Sequence, residues 1–418
     1  MESACDGIPF SERLKQKRKE YFISQNELAA ASGISRQYLN EIENGRRSVT
    51  PDRQQSIMEA LERFNPETPL TMVFDYVRIR FRTLDVAHVM HDILQLRADY
   101  FNHEDYGFYS YAEHYYMGDI FVLVSPDIEK GVLIELKGRG CRQYESYLMA
   151  QGRSWYDFFL DCIDDGAVIK RLDLAINDRH GILDIPALAK KCEADECISV
   201  FRSFRSYRSG ELVKRDEKDG MGNTLYIGSM SSDVYFCIYE KDYEQYVKLG
   251  IPMDENPVKN RFEIRLKNDR AYLALLDLLQ FHDCDSTAFG IINRYMRFAD
   301  RDDTLRRNEW PTSDSWKWFI GERKERLRLT MEPKPYTIER TMHWLERQVA
   351  PTLKMAIRID DINKSKDIAR MIDRAELSDK QKKIIKQAQA KVTDVICDKG
   401  LVRGFEYIKA DEVIPFDS

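Results

Sequence analysis

The chain has 418 residues, 43% of them hydrophobic, which at about 150 residues per domain is enough for two or three domains with their own cores. Its 64 Lys and Arg against 70 Asp and Glu leave a formal charge of −6, which excludes a uniformly basic surface and confines any nucleic-acid contact to local patches. The longest apolar runs, such as 120–124 and 132–136, are far shorter than the ~20 residues of a membrane span, and MESACDGIPFSERLKQKRKE has no apolar h-region or cleavage site, so a cytoplasmic protein without membrane contact is expected.

In the first 63 residues, Leu14, Leu28, Ala29, Ile34, Leu39 and Ile42 recur at helical spacings. Ser24-Gln25-Asn26-Glu27 is a capping box, Ala31-Ser32-Gly33 supplies a turn, and Ser35 caps a second helix through Arg36–Ile42. Two short helices joined by a glycine turn make a helix-turn-helix. Asn65-Pro66-Glu67-Thr68-Pro69 marks its end, giving an all-α domain over 1–68 and a linker near 64–71. The stretch SQNELAAASGISRQYLNEIENGRRSVT resembles Cro/C1-type helix-turn-helix units. That resemblance implies that Ser35, Arg36, Gln37, Tyr38 and Asn40 approach duplex DNA in the major groove and that Gln25 contacts the backbone. Arg13, Lys15, Lys17, Arg18 and Lys19 add a local basic cluster beside them.

From residue 72 the periodicity changes to strands: Phe74–Phe81, Asp119–Val124, Val132–Lys137, Val168–Asn177, Asn223–Ile227, Val234–Lys241 and Asn260–Leu266. Helices are expected near Tyr144–Cys162, Ile185–Glu196 and Arg270–Phe281. This predicts an α+β domain over 72–306 with a largely antiparallel sheet. A charged helical region follows over 307–418, clearest at Thr337–Gln348 and Ser378–Ile396. The segment Phe201–Arg208 alternates aromatics with arginines, which suits either base stacking with phosphate neutralisation or an edge strand carrying solvated arginines.

Three strands carry an acid between apolar neighbours: Ile134-Glu135-Leu136, Leu172-Asp173-Leu174 and Phe262-Glu263-Ile264. Alternation sends the apolar flanks to a core and the carboxylates to the other face, where three of them together need a cation; hard oxygen ligands suit Mg²⁺ or Mn²⁺. In Tyr235-Phe236-Cys237-Ile238-Tyr239-Glu240-Lys241 the same alternation places Tyr239 opposite the core with Lys241 two residues on. A phenol with an ordinary pKa of about 10 attacks phosphorus only when a metal, a base or nearby cations help it ionise. Each of these residues read singly also fits solvent-facing acids or packing. The eight cysteines lack zinc spacing and read as reduced packing residues. His88-Val89-Met90-His91 is not the His-apolar-His pair of a metal-binding nickase.

The segments KRLDLA (170–175), TLYIGS (224–229), IYEK (238–241) and RFEIRLK (261–267) resemble, in order, the motifs of the replication initiation factor family of rolling-circle plasmid initiators and conjugative-element relaxases. The resemblance implies that Tyr239 attacks a DNA phosphate, that Asp173, Glu263 and Glu135 hold a divalent metal, and that Arg171 and Lys241 neutralise the phosphate. It implies a site-specific and strand-specific nickase forming a 5′-phosphotyrosyl intermediate at an origin of transfer and rejoining the strand. GRGCR after Glu135 and the helix-turn-helix are similar to the conjugative branch. A rolling-circle plasmid initiator is the alternative within the class, and a helix-turn-helix transcriptional regulator without nuclease activity the alternative outside it. Duplex and single-stranded DNA are the expected partners. The chain has no P-loop, so unwinding by ATP hydrolysis falls to a host helicase, and a conjugative coupling protein is the further partner implied.

Overall fold

A computed structural model of the chain describes residues 9–21, 25, 28–29, 32–62, 70–208, 222–253, 255–321, 326–335, 342 and 345–397. Ser24, Asn26 and Glu27 of the capping box, Ala31 of the turn, the boundary at 64–69 and part of the helix expected over 337–348 lie outside the described residues. The first unit contains α1 (Phe10–Glu20), α2 (Arg36–Glu43) and α3 (Pro51–Glu62) around Leu14, Leu28, Leu39, Ile42, Ile57 and Leu61. Ser35 caps α2, its hydroxyl accepting the Tyr38 N–H at 3.1 Å.

The central domain is an antiparallel sheet with helices packed on one face, in agreement with the α+β expectation. Its strands are β1 (Leu70–Phe81), β2 (Asn102–Glu104), β3 (Glu113–Met117), β4 (Ile120–Val124), β5 (Val132–Lys137), β6 (Val168–Asp178), β8 (Phe204–Arg208), β9 (Asn223–Ile227), β10 (Val234–Glu240) and β11 (Asn260–Lys267). They lie in the order β2-β3-β4-β5-β1-β6-β11-β10-β9-β8, while β7 (Cys197–Ser199) and β12 (Met296–Phe298) pair separately. The apolar face carries Ile134, Leu172, Leu174, Phe236, Ile238, Phe262 and Ile264 into one core with α4 (Arg139–Gln151), α5 (Trp155–Asp164), α6 (Ile185–Glu193), α8 (Asn268–Phe281) and α9 (Cys284–Tyr295); α7 (Lys241–Leu249) follows β10 directly. Phe74 sits edge-on to Trp155 and Phe159 at 5.3 and 5.2 Å, contacts worth about 0.5–1.5 kcal/mol each beyond their buried area.

The continuous helix expected over Tyr144–Cys162 is two helices. Gly152, at φ +68°, ends α4, and Ser154 forms a capping box with Asp157 that starts α5. The region expected to begin at 307 is not a separate layer: Trp316 and Phe319 enter the sheet's core, and β13 (Arg328–Leu329) pairs in parallel with β1. At the far end Gln387 donates to the Tyr100 carbonyl at 2.6 Å and Val395 joins the same core. These contacts join residues far apart in sequence, which local periodicity does not encode.

One irregularity in β1 positions the site. The register with β6 shifts between Phe74 and Tyr76, so Asp75 is an extra residue in the strand. Leu70, Met72 and Phe74 face the core before it and Val77, Ile79 and Phe81 after it. Such a bulge sends two neighbouring side chains, here Asp75 and Tyr76, to the same polar face. Just beyond β5, Gly140 in α4 packs so closely that a Cβ there would overlap the Asp119 carbonyl oxygen. Gly-to-Ala in an open helix stabilises by up to about 1 kcal/mol. Gly140→Ala is instead expected to destabilise by about 1–3 kcal/mol, with chemical denaturation reading the sign.

Candidate active site on the polar sheet face

Tyr239 lies near the end of β10, directly across from Arg261 on β11 and Thr224 on β9. Its hydroxyl donates to Glu263 Oε1 at 2.8 Å, and Lys241 Nζ approaches the phenol oxygen at 3.4 Å. Lys241 also donates to Glu244. Burial, reinforced by the charge of Glu263, pushes the Tyr239 phenol well above its ordinary pKa of 10, against the opposing pull of Arg261. Burial and the neighbouring Arg261 lower the Lys241 ammonium. Without an added cation the phenol is therefore a protonated, hydrogen-bonded and weak nucleophile.

Asp173 on β6 and Glu263 on β11 occupy adjacent strands and are both buried. Arg171 grips Asp173 through two bonds of 2.8 and 2.6 Å, and Arg265 grips Glu263 through two of 2.8 and 2.6 Å while lying 3.7 Å from Asp173. Burial, with the charge of Glu263 adding to it, pushes the Asp173 carboxyl up to about 6 despite Arg171. Two crowded, incompletely compensated carboxylates offer the hard oxygen donors that suit a divalent cation.

Glu135 does not join them. It faces Arg78 across β5 and β1, with Tyr76 and Asp173 forming the next pair along. Its carboxylate accepts from Tyr76, from Arg78 at 3.0 and 2.5 Å, and from Lys137 at 2.9 Å. Burial alone would raise this carboxyl, but those bonds overcome it and hold it below its ordinary range. Among the described residues, the group of three side chains with ligand atoms within 4.8 Å of one another is His103, Asp105 and Glu113, on the β2–β3 edge of the sheet.

The structure adds residues that sequence reasoning missed. Arg261 Nη1 donates to Asp75 Oδ1 and Nε to Asn177 Oδ1, each at 2.8 Å, and Asn177 donates to Glu332 at 3.1 Å. Burial would raise Asp75, yet the charges of Arg261, Lys241 and Arg142 hold it below its ordinary range. The one signal for Asp75 was the broken alternation in Phe74-Asp75-Tyr76-Val77. Arg265 lay within a quoted motif, and Glu332, with no periodicity around it, gave no signal.

In the first unit, Ser35, Arg36, Gln37 and Asn40 are exposed and Tyr38 half-buried beneath Arg47, whose guanidinium is 4.6 Å from its ring. Gln25 donates to Asn40 at 3.3 Å and to Glu43 at 2.7 Å, joining two of the expected DNA-contacting residues. Arg18, expected in a basic patch, instead turns inward to the buried Glu43, with bonds of 2.5 and 2.9 Å, because an unpaired carboxylate there is costly. Met149 of α4 packs against this unit's core and links it to the central domain.

Fold and site thus define a DNA-binding helix-turn-helix protein with a partly buried tyrosine–carboxylate–arginine cluster on an antiparallel sheet. Residues 14–63 match the helix-turn-helix family, 71–161 the rolling circle replication initiation protein N-terminal domain, and 167–372 the replication initiation factor family. The chain is 42% identical over 331 residues to the "Putative DNA relaxase NicK" of Bacillus subtilis (strain 168), spanning 79% of this chain and 93% of that protein. It is 51% identical over 41 residues to the "ImmF control region 10 kDa protein" of Bacillus phage phi105, covering 10% of this chain and 46% of that protein. It superimposes on a rolling circle replication initiator protein from Geobacillus stearothermophilus with a TM-score of 0.53 and 26% identity, over 63% of this chain and 99% of that one. The chain belongs to the replication initiation factor family.

The raised Asp173 value carries a stability consequence. A carboxyl whose folded pKa exceeds its unfolded 3.8 contributes stability that is fully present below 3.8 and lost as pH rises through about 6. Asp173→Asn is expected to flatten that part of the profile, so that the difference in melting temperature between the two proteins changes between pH 4 and 6 and is constant above about 7.

Proposed function

We propose that this protein is a site-specific and strand-specific DNA nickase of the relaxase type. The observation that carries the reading is the Tyr239 hydroxyl 2.8 Å from Glu263, with Lys241 beside it, in a chain 42% identical to a protein named as a relaxase. Tyr239 Oη attacks the scissile phosphorus, Glu263 receives the phenol proton, and the P–O3′ bond breaks to leave a 5′-phosphotyrosyl ester and a 3′-hydroxyl once that oxygen is protonated. Lys241 stabilises the emerging phenolate, and Arg171 neutralises the phosphate. Asp173 and Glu263 would hold the divalent ion, Mg²⁺ or Mn²⁺, which supplies Lewis-acid polarisation of the phosphoryl oxygens. Glu135, the expected third ligand, orders Tyr76, Arg78 and Lys137 at the rim. The phosphotyrosyl ester conserves the bond energy, so the same residues rejoin the strand in reverse.

Residues 1–68 grip duplex DNA through Arg36, Gln37 and Asn40, residues 72–306 take the unpaired strand, and the chain beyond 306 supports the sheet through β13 and Glu332. Nicking at the transfer origin of a conjugative element follows the relaxase likeness. A host helicase and a coupling protein complete the reaction in the cytoplasm. Nicking at a plasmid replication origin is the second reading, favoured by the superposition that covers 99% of a rolling circle initiator. A transcriptional regulator without nuclease activity fits less well, since Tyr239, Lys241 and the paired acids are all in place.

Incubation with Mn²⁺ and a supercoiled plasmid bearing the candidate origin should yield relaxed product and a protein–DNA adduct. Tyr239→Phe, which removes only the nucleophilic oxygen, is expected to abolish both with DNA affinity nearly unchanged; adduct formation through Tyr226, Tyr235 or Tyr243 would contradict the assignment. Excess EDTA should stop the reaction. Mn²⁺ at 100 times its dissociation constant should stabilise the wild type by about 2.7 kcal/mol in thermal unfolding, with no such gain in Asp173→Ala combined with Glu263→Ala.

A further inference from the structure

The arginine–aromatic segment singled out in the sequence forms β8, the terminal strand of the sheet at the end nearer Tyr239. Its register fixes which residues face the site. Tyr207 pairs with Thr224, Thr224 with Tyr239, and Tyr239 with Arg261, so Tyr207 stands in the same row and on the same face as the nucleophile. Two strand spacings separate them, about 10 Å, which a neighbouring nucleotide can bridge. Arg205 pairs with Tyr226 and Tyr226 with Cys237, placing Arg205 in the adjacent row on that face. Phe204 and Arg208 point to the other side.

Tyr207 is 49% exposed and meets Tyr226 edge-on at 5.9 Å and 89°, an arrangement that leaves a ring face open. Tyr226 lies 5.8 Å below the Arg265 guanidinium, and Arg265 holds Glu263, the acceptor of the Tyr239 hydroxyl. Aromatic and cationic groups therefore run from the sheet edge as far as Arg265, and the Glu263 carboxylate links Arg265 to the nucleophile. Arg205 is exposed and has no ion-pair partner among the described residues, which leaves its charge available at this edge. Exposed aromatic faces beside unpaired arginines suit unpaired nucleotides, whose bases stack and whose phosphates attract the cation.

We propose that Arg205 and Tyr207 form a subsite for the unpaired DNA strand flanking the scissile phosphate: Tyr207 stacks a base, Arg205 holds the backbone, and the strand crosses the sheet from β8 towards Tyr239. The proposal rests on the nickase reading of Tyr239.

The test uses the full chain and fluorescein-labelled oligothymidylate, with affinity read by anisotropy at fixed low salt. Tyr207→Ala and Arg205→Ala should each weaken binding about 10-fold, and Tyr207→Phe should bind as wild type, since stacking needs the ring and not the hydroxyl. Arg205→Ala should also lower the salt dependence by about one charge. Duplex affinity should be unchanged in both, whereas Arg36→Ala should weaken duplex binding alone. The proposal is overturned if the wild type does not bind the strand, if both alanine variants bind it as wild type, if Tyr207→Phe fails like Tyr207→Ala, or if duplex and single strand are lost equally. Wild-type protein that binds the strand through Tyr207 but forms no adduct with the origin plasmid in Mn²⁺ would overturn the nickase reading and leave this subsite standing.

Discussion

The organisation of this protein depends on charges buried on one face of a sheet whose other face is mostly apolar. Burying an unpaired charge costs several kcal/mol, so each carboxylate on the polar face must have a cation within reach. Asp173 has Arg171, Glu263 has Arg265, Asp75 has Arg261, and Glu135 has Arg78 with Lys137. The pairing is close but incomplete at Asp173, where burial, with the charge of Glu263 adding to it, raises the pKa despite Arg171. In the nicking reaction proposed above, the arginines of these pairs are the groups that would meet a phosphate and the acids those that would meet a cation.

The bulge at Asp75 extends that arrangement. A regular strand continuing from Leu70, Met72 and Phe74 would have sent Tyr76 into the core and Val77 to the polar face; the extra residue keeps Tyr76 beside Asp75, which bonds Arg261, and leaves the apolar pattern intact on both sides. Gly138, whose N–H donates to the Asp75 carbonyl at 2.7 Å, then starts α4, which carries Arg142 to the Asp75 side and Met149 to the helix-turn-helix. One helix thus spans from the cluster to the helix-turn-helix unit. Glu332, brought by the segment that pairs with β1, joins through Asn177 and closes the cluster from the C-terminal side.

Much of this was legible in the sequence where local pattern suffices. Val132–Lys137 and Asn223–Ile227 are strands with the expected bounds, and β6, β10 and β11 differ by a residue or so at their ends. Alternation alone put Glu135, Asp173, Glu263 and Tyr239 on the face opposite the core. The short β2, β3, β7, β12 and β13 were not visible, because two to five residues carry too little periodicity to separate a strand from a loop. The break between α4 and α5 was hidden by apolar residues that continue at helical spacing across Gly152.

The sequence by itself determined the fold class, the helix-turn-helix and the polar face of each strand, since these follow from the spacing of side chains along a single segment. Strand order was decided only in three dimensions. It set Asp173 next to Glu263 and left Glu135 beyond β1, gave Tyr239 the carboxylate of Glu263 as its acceptor, and brought Asp75, Arg261, Asn177 and Glu332 into contact across more than 250 residues of chain. Such partners are selected by the need to neutralise buried charge between segments distant in sequence, and no single segment contains that requirement.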